Sequence, residues 1–141
     1  MAVKVLLIED DQLIQRMYQK MFVFDKFEVE TASDGEEGLD KARSMDPKPT
    51  IILLDVMMPK MNGMQVLEKL KQDPDLKAIP VVMLSNLAGE NDVETALSKG
   101  AVKYIIKSEY EPKQVSAMVK EIVAGYSRND VPSAAPSAPA A

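Results

Sequence analysis

Two apolar runs in this chain end on carboxylates: VKVLLI leads into Glu9, Asp10 and Asp11, and IILL leads into Asp55. Two further runs end on other polar groups, VVML on Ser85 and VKYII on Lys107. Neither His nor Cys occurs, so imidazole and thiolate chemistry are excluded, leaving carboxylates, hydroxyls, Lys and backbone groups. If Glu9, Asp10 and Asp55 share one cleft, two of their carboxylates about 4 Å apart repel by roughly 4 kcal/mol at an effective dielectric near 20. Lys107 supplies one compensating charge, and a divalent cation would supply the rest. An all-oxygen cluster suits Mg²⁺ better than zinc, because Mg²⁺ takes octahedral oxygen coordination and commonly combines one or two carboxylates with waters and a phosphate. A phosphoryl group drawn to that ion would face Asp55, whose carboxylate could attack phosphorus to give an acyl phosphate. Ser85 and Lys107 could then hold the phosphoryl oxygens.

Each of these residues also has a plainer reading. Asp10 and Asp11 stand where acidic residues cap a following helix. Ser85 alone would be a satisfied hydroxyl at a strand end, Lys107 a solvated lysine, and Asp55 a loop residue. The ten Met residues read as core filler and adaptable surface.

The convergence depends on the elements that carry these residues. VKVLLI, FEVETA, TIILLD, IPVVML and VKYIIK read as five strands, too short for helices, rich in Val and Ile, and bounded by polar or Pro/Gly signals. Between the first two, Leu13, Ile14, Met17, Tyr18, Met21 and Phe22 fall at the spacing of one apolar helix face. DGEEGLDKARSM predicts a second helix with Asp34 as N-cap, weakened by Gly38. Asn62 and Gly63 open a third, which DPD at 73–75 stops. A fourth runs over ENDVETALSKG to Gly100, and a fifth over EPKQVSAMVKEIVAGY, with Pro112 in its first turn. Alternating strands and helices predict an α/β fold, a parallel sheet with helices on both faces. In such a sheet ligands bind beyond the carboxyl ends of the strands, where the strand order reverses, and every polar residue singled out above lies at such an end.

At 141 residues the chain fits one domain, residues 1–126, followed by a Pro/Ala/Ser-rich tail or linker, 127–141, too poor in large apolar groups to order itself. A formal charge of −5 gives no reason to expect direct binding to nucleic acid or an anionic membrane. No stretch has the length and apolarity of a membrane span or signal peptide, and the absence of Cys suits a reducing compartment, so the expectation is cytoplasmic.

Together VLLIEDD, IILLDVMMPKMNG, VVMLSN and GAVKYIIK resemble the receiver domain of two-component response regulators, in the single-domain form typified by chemotaxis regulators. The likeness covers about residues 3–125 and rests on four motifs in the family's order. It implies a flavodoxin-like five-stranded parallel sheet of order 2-1-3-4-5 and a phosphorylation-activated switch in a phosphorelay. Asp55 would be the phosphoacceptor, with Mg²⁺ held by the side chains of Asp10 and Asp55, by the backbone carbonyl of Met57 and, through water, by Glu9. Ser85 would sense the phosphoryl group with Lys107, and Tyr104, whose plainer reading is core packing, would be the aromatic switch residue. The donor would be a phosphohistidine on a histidine kinase or His-phosphotransfer protein, and the output face would lie on helix 4, strand 5 and helix 5. Catalysis would be limited to self-phosphorylation and its reversal, so the chain is not expected to be a conventional enzyme.

Three departures from the family pattern stand out. Ser108 replaces the usual Pro after the lysine, so the cis peptide usual there is not assured. Asn86 replaces a small residue after Ser85, where it could narrow phosphoryl access, and Met57 and Leu87 are apolar where side chains tune water access to the acyl phosphate. Slow loss of phosphate is expected. A Mg²⁺-dependent phosphatase with an aspartate nucleophile would need a second Asp two residues after Asp55, where Met57 stands. A flavodoxin-like cofactor binder would need a phosphate-cradling loop, which is not evident, whereas a receiver cut from a longer regulator fits the same residues.

Overall fold

Strand and helix alternate through the computed structural model, which describes residues 3–87 and 89–129. The order is β1 (Lys4–Ile8), α1 (Gln12–Phe24), β2 (Glu28–Ala32), α2 (Gly35–Ser44), β3 (Ile51–Leu54), α3 (Gly63–Gln72), β4 (Val81–Ser85), α4 (Glu90–Ser98), β5 (Lys103–Ile106), a 3₁₀ turn (Lys107–Glu109) and α5 (Pro112–Asn129). All five strands are parallel, in the order β2-β1-β3-β4-β5. The expected fold class and strand order are those observed. β1 pairs with β2 on one side and β3 on the other, so the order reverses between β1 and β3 and a crevice opens beyond their carboxyl ends.

Side chains alternate across the sheet with period two, and each face meets its own layer of helices. Leu6, Ile8, Ile52, Leu54, Val81 and Met83 pack with Leu39, Val66, Leu67 and Leu70 of α2 and α3 and with Ala96 of α4. Val5, Leu7, Ile51, Leu53, Val82, Leu84 and Ile105 pack with Tyr18 and Phe22 of α1 and with Val115, Val119 and Val123 of α5. The central strands β1, β3 and β4 are therefore almost wholly apolar, as strands covered on both faces must be. The edge strand β2 shows the alternation of a half-exposed one.

The apolar face of α1 differs from the expected one. Gln15, Tyr18 and Phe22 are its buried residues, whereas Leu13 is 75% and Met17 44% exposed. The helix is rotated so that the Tyr18 and Phe22 rings stack over the sheet and Gln15 points at the strand ends. Gly38, which weakens α2 by propensity, has a packing reason: a Cβ there would lie 2.4 Å from Ile8 Cδ1, so the glycine lets α2 lie close against β1. Helix α5 continues to Asn129, taking in positions 127–129 of the expected tail, and residues 130–141 lie outside the described residues. Among the described residues no helix is long and apolar enough to cross a membrane.

Candidate functional site

The register Ile8↔Leu54 between β1 and β3 makes the next residues, Glu9 and Asp55, neighbours at the rim. The Asp55 N–H donates to the Ile8 carbonyl at 3.0 Å, extending the ladder to the carboxylate-bearing residue itself. Glu9, Asp10 and Asp55 can each bring a carboxylate oxygen within 4.8 Å of the others. Glu9 is 1% and Asp55 6% exposed, while Asp10 faces solvent. Asp11 is not part of this group. Its Oδ1 accepts from the Leu13 and Ile14 N–H groups and caps α1, so the two adjacent aspartates divide the roles of cap and rim carboxylate between them.

Lys107 is the positive counterpart, with its Nζ 2.7 Å from Glu9 Oε1 and 3.6 Å from Asp55 Oδ2. It stands one residue past β5, at the start of the 3₁₀ turn. Burial pushes the Glu9 carboxyl above its ordinary pKa, opposed by the Lys107 hydrogen bond and reinforced by the nearby Asp55 charge. Burial raises Asp55 too, against the pull of Lys107 and of the Met57 N–H, which donates to Asp55 Oδ1 at 3.3 Å. One ammonium does not neutralise three carboxylates. At such separations each like-charged pair costs roughly 3 to 4 kcal/mol at an effective dielectric near 20, so the rim favours a further cation. Its donors are all hard oxygens, which fits a divalent ion of the Mg²⁺ or Mn²⁺ kind.

Ser85 ends β4 and is 1% exposed. Its Oγ accepts from the Leu87 N–H at 3.1 Å, and the Tyr104 hydroxyl donates to the Leu87 carbonyl at 2.8 Å. The peptide groups of Leu87 thus connect the two residues. Met57, 61% exposed, projects from the loop after β3. That loop turns back through Gly63, whose N–H donates to the Val56 carbonyl at 2.9 Å, and enters α3 through a reciprocal capping box between Asn62 and Gln65. Of the residues singled out from sequence, Glu9, Asp10, Asp55 and Lys107 meet directly. Ser85 lies beside the start of the lysine turn through the register Ser85↔Ile106, and Tyr104 reaches Leu87 from β5.

One positioning residue escaped the sequence reading. Gln15, buried on α1, donates from Nε2 to the Glu9 carbonyl at 2.9 Å and the Ala32 carbonyl at 3.2 Å, tying together the ends of β1 and β2 beside the rim. The signal was a long polar residue at i−3 and i−7 from Tyr18 and Phe22, on the face that packs against the sheet.

A family model described as the response regulator receiver domain matches residues 5–120. Among curated proteins, the alkaline phosphatase synthesis transcriptional regulatory protein PhoP of Bacillus subtilis is 38% identical over 120 residues, 85% of this chain and 48% of that protein. The chain thus spans about half the length of this relative. Among solved structures, the phosphorylated cyanobacterial phytochrome response regulator RcpA is 32% identical with a TM-score of 0.76, covering 94% of this chain and 98% of that one. The Mn²⁺-bound response regulator Rcp1 is 31% identical with a TM-score of 0.72, covering 94% and 99%.

Proposed function

Because this chain belongs to the response regulator receiver domain family, whose members are signalling switches rather than classical enzymes, we propose that Asp55 is its phosphoacceptor and that Glu9, Asp10, Ser85, Tyr104 and Lys107 serve that step. The observation that carries the reading is the meeting of Glu9, Asp10 and Asp55 within 4.8 Å beside the Lys107 ammonium. An Asp55 oxygen attacks the phosphorus of a partner's phosphohistidine. The new P–O bond forms as the P–N bond breaks, and the electron pair of that bond stays on the imidazole nitrogen. Mg²⁺ is the cofactor we assign, with Asp10, Asp55 and the Met57 carbonyl as ligands and Glu9 acting through water. When bound it supplies charge neutralisation for the transferring phosphoryl group. The Mn²⁺-bound form of the similar response regulator Rcp1 supports a divalent ion in such a site.

The acyl phosphate carries roughly 1.5 to 2 negative charges where the Asp55 carboxylate carried one, and spreads them over three further acceptor oxygens. Ser85 and Lys107 bind its oxygens. For Ser85 to turn inward, its Oγ gives up the Leu87 N–H, and the Leu87 carbonyl then loosens its hold on the Tyr104 hydroxyl. Tyr104 is thereby released, and the face of α4, β5 and α5, where Leu97 of α4 is exposed, changes shape for a downstream protein. The donor is a histidine kinase or His-phosphotransfer protein, and the compartment the cytoplasm. With a formal charge of −5 and a match to only about half of PhoP, we ascribe no nucleic-acid contact to this domain. Incubation with acetyl phosphate and Mg²⁺ should give a retarded band on a phosphate-affinity gel that Asp55→Asn abolishes. A band that survives the substitution moves the acceptor elsewhere.

A further inference from the structure

The ladder between β4 and β5 ends at the pair Ser85↔Ile106. Just beyond it, the Ser108 N–H donates to Asn86 Oδ1 at 3.0 Å. Asn86 directly follows Ser85, and Ser108 directly follows Lys107. A side chain therefore adds one more rung between two strand ends, and that rung flanks the hydroxyl and the ammonium that would hold a phosphoryl group. Apart from the contacts of the Lys107 ammonium with Glu9 and Asp55, the turn's own bonds are weak. Its N-cap residue, Ile106, makes no side-chain capping bond, and the turn's Tyr110 N–H to Lys107 carbonyl bond is long at 3.4 Å. The Lys107–Ser108 peptide is trans, and its N–H is a donor that a proline at 108 would lack. The Asn86 side chain thus turns toward the lysine turn.

We propose that Asn86 is a positioning residue for phosphoryl transfer: through the Ser108 N–H it locks the lysine turn to the end of β4 and sets the spacing between Ser85 and Lys107. The inference rests on the assignment of Asp55 as phosphoacceptor. The metal's ligands come from the β1 and β3 ends, outside the clamp, so its binding shifts only as far as the Lys107 ammonium moves, whereas the rate at which the acyl phosphate forms depends on the Ser85–Lys107 spacing directly. The two departures at positions 86 and 108 are in this view one device, an acceptor and a donor that need each other.

Single-turnover phosphorylation by acetyl phosphate, with Mg²⁺ affinity measured in parallel, tests this on wild type, Asn86→Ala, Ser108→Pro and the double variant. Loss of a net hydrogen bond predicts a phosphorylation rate about fivefold lower in Asn86→Ala, with Mg²⁺ affinity changed by less than about twofold because the Lys107 charge is retained. In the Ser108→Pro background Asn86→Ala should have no further effect, because the donor is already gone. Asn86→Asp, which keeps an acceptor at the same place, should restore protection of the Ser108 amide from hydrogen exchange that Asn86→Ala removes. Equal rates in wild type and Asn86→Ala, or additive losses in the double variant, overturn the clamp alone. A wild type that takes up no phosphate overturns the phosphoacceptor assignment, and the clamp's role in that step with it.

Discussion

Lys107 sits nearer to Glu9 than to Asp55, 2.7 Å against 3.6 Å, so in this structure its ammonium is committed first to the most buried carboxylate of the rim. The ammonium and a divalent ion bound there would therefore compete for the same negative potential, even though the proposed phosphoryl transfer uses both.

Lys107→Met separates these roles. At 3.6 Å a unit charge pair amounts to roughly 4 to 5 kcal/mol at an effective dielectric near 20, much of it offset by desolvation. The variant should bind Mg²⁺ about tenfold more tightly, since a competing cation worth more than the 1.4 kcal/mol of a tenfold change is gone. It should also form acyl phosphate more than tenfold more slowly. Calorimetric titration with Mg²⁺ checks the first half, and weaker binding than wild type would show that Lys107 supports the metal site rather than competing with it.

Gly63 is a close-approach position. A Cβ there would stand 2.1 Å from the Asp55 carbonyl oxygen and 2.8 Å from Val56 Cα, both backbone atoms that cannot swing aside. Gly63→Ala should destabilise the protein by about 3 kcal/mol or more and displace the end of β3. Denaturant unfolding measures the cost, and a loss under about 0.5 kcal/mol would show that the loop gives way freely.

Met57 is exposed at the rim and carries no group that could orient water, so the acyl phosphate of the wild type should persist for longer than minutes. Met57→Asn keeps the backbone N–H that donates to Asp55 and adds an amide able to hold an attacking water. Its phosphoprotein should decay about tenfold faster. Following phosphate release from purified phosphoprotein distinguishes the two, and a wild-type lifetime of seconds would contradict the expectation.

Asp34 caps α2 by accepting the Glu37 N–H at 2.9 Å, and that bond holds its carboxyl below the ordinary aspartate pKa, with help from Lys60 at 3.5 Å. A depressed folded-state pKa contributes stability above the unfolded value and loses it as pH falls through the folded one. Asp34→Ala should therefore cost about 1 kcal/mol at neutral pH, the wild-type advantage shrinking only once the pH drops below the ordinary aspartate range. Urea melts at neutral and strongly acidic pH reveal this, and an advantage that grows on acidification would reverse the assignment.

The strands were legible because buried strands of a parallel sheet are continuous apolar runs, and the site because its polar residues interrupt those runs at their carboxyl ends. Asp34, Asn62 and Gly100 marked helix boundaries correctly by cap chemistry alone. The rotation of α1 was not legible. Leu13 and Met17 match the apolar period as well as Tyr18 does, and the side that turns inward is the one whose Tyr18 and Phe22 fill the core while Gln15 bonds the β1 and β2 ends, a fit visible only in the tertiary structure. The Asn86–Ser108 bond was hidden for a similar reason. Its partners are 22 positions apart and join only where two strand ends come side by side.

Glu9 and Lys107, in hydrogen-bond contact, are separated by 98 positions along the chain. During synthesis, a growing polypeptide would thus carry Asp10 and Asp55 long before the ammonium that completes their surroundings has emerged. Phosphotransfer competence should arrive late and all at once, and a protease cut between β3 and β5 should abolish it even with every acidic residue left intact.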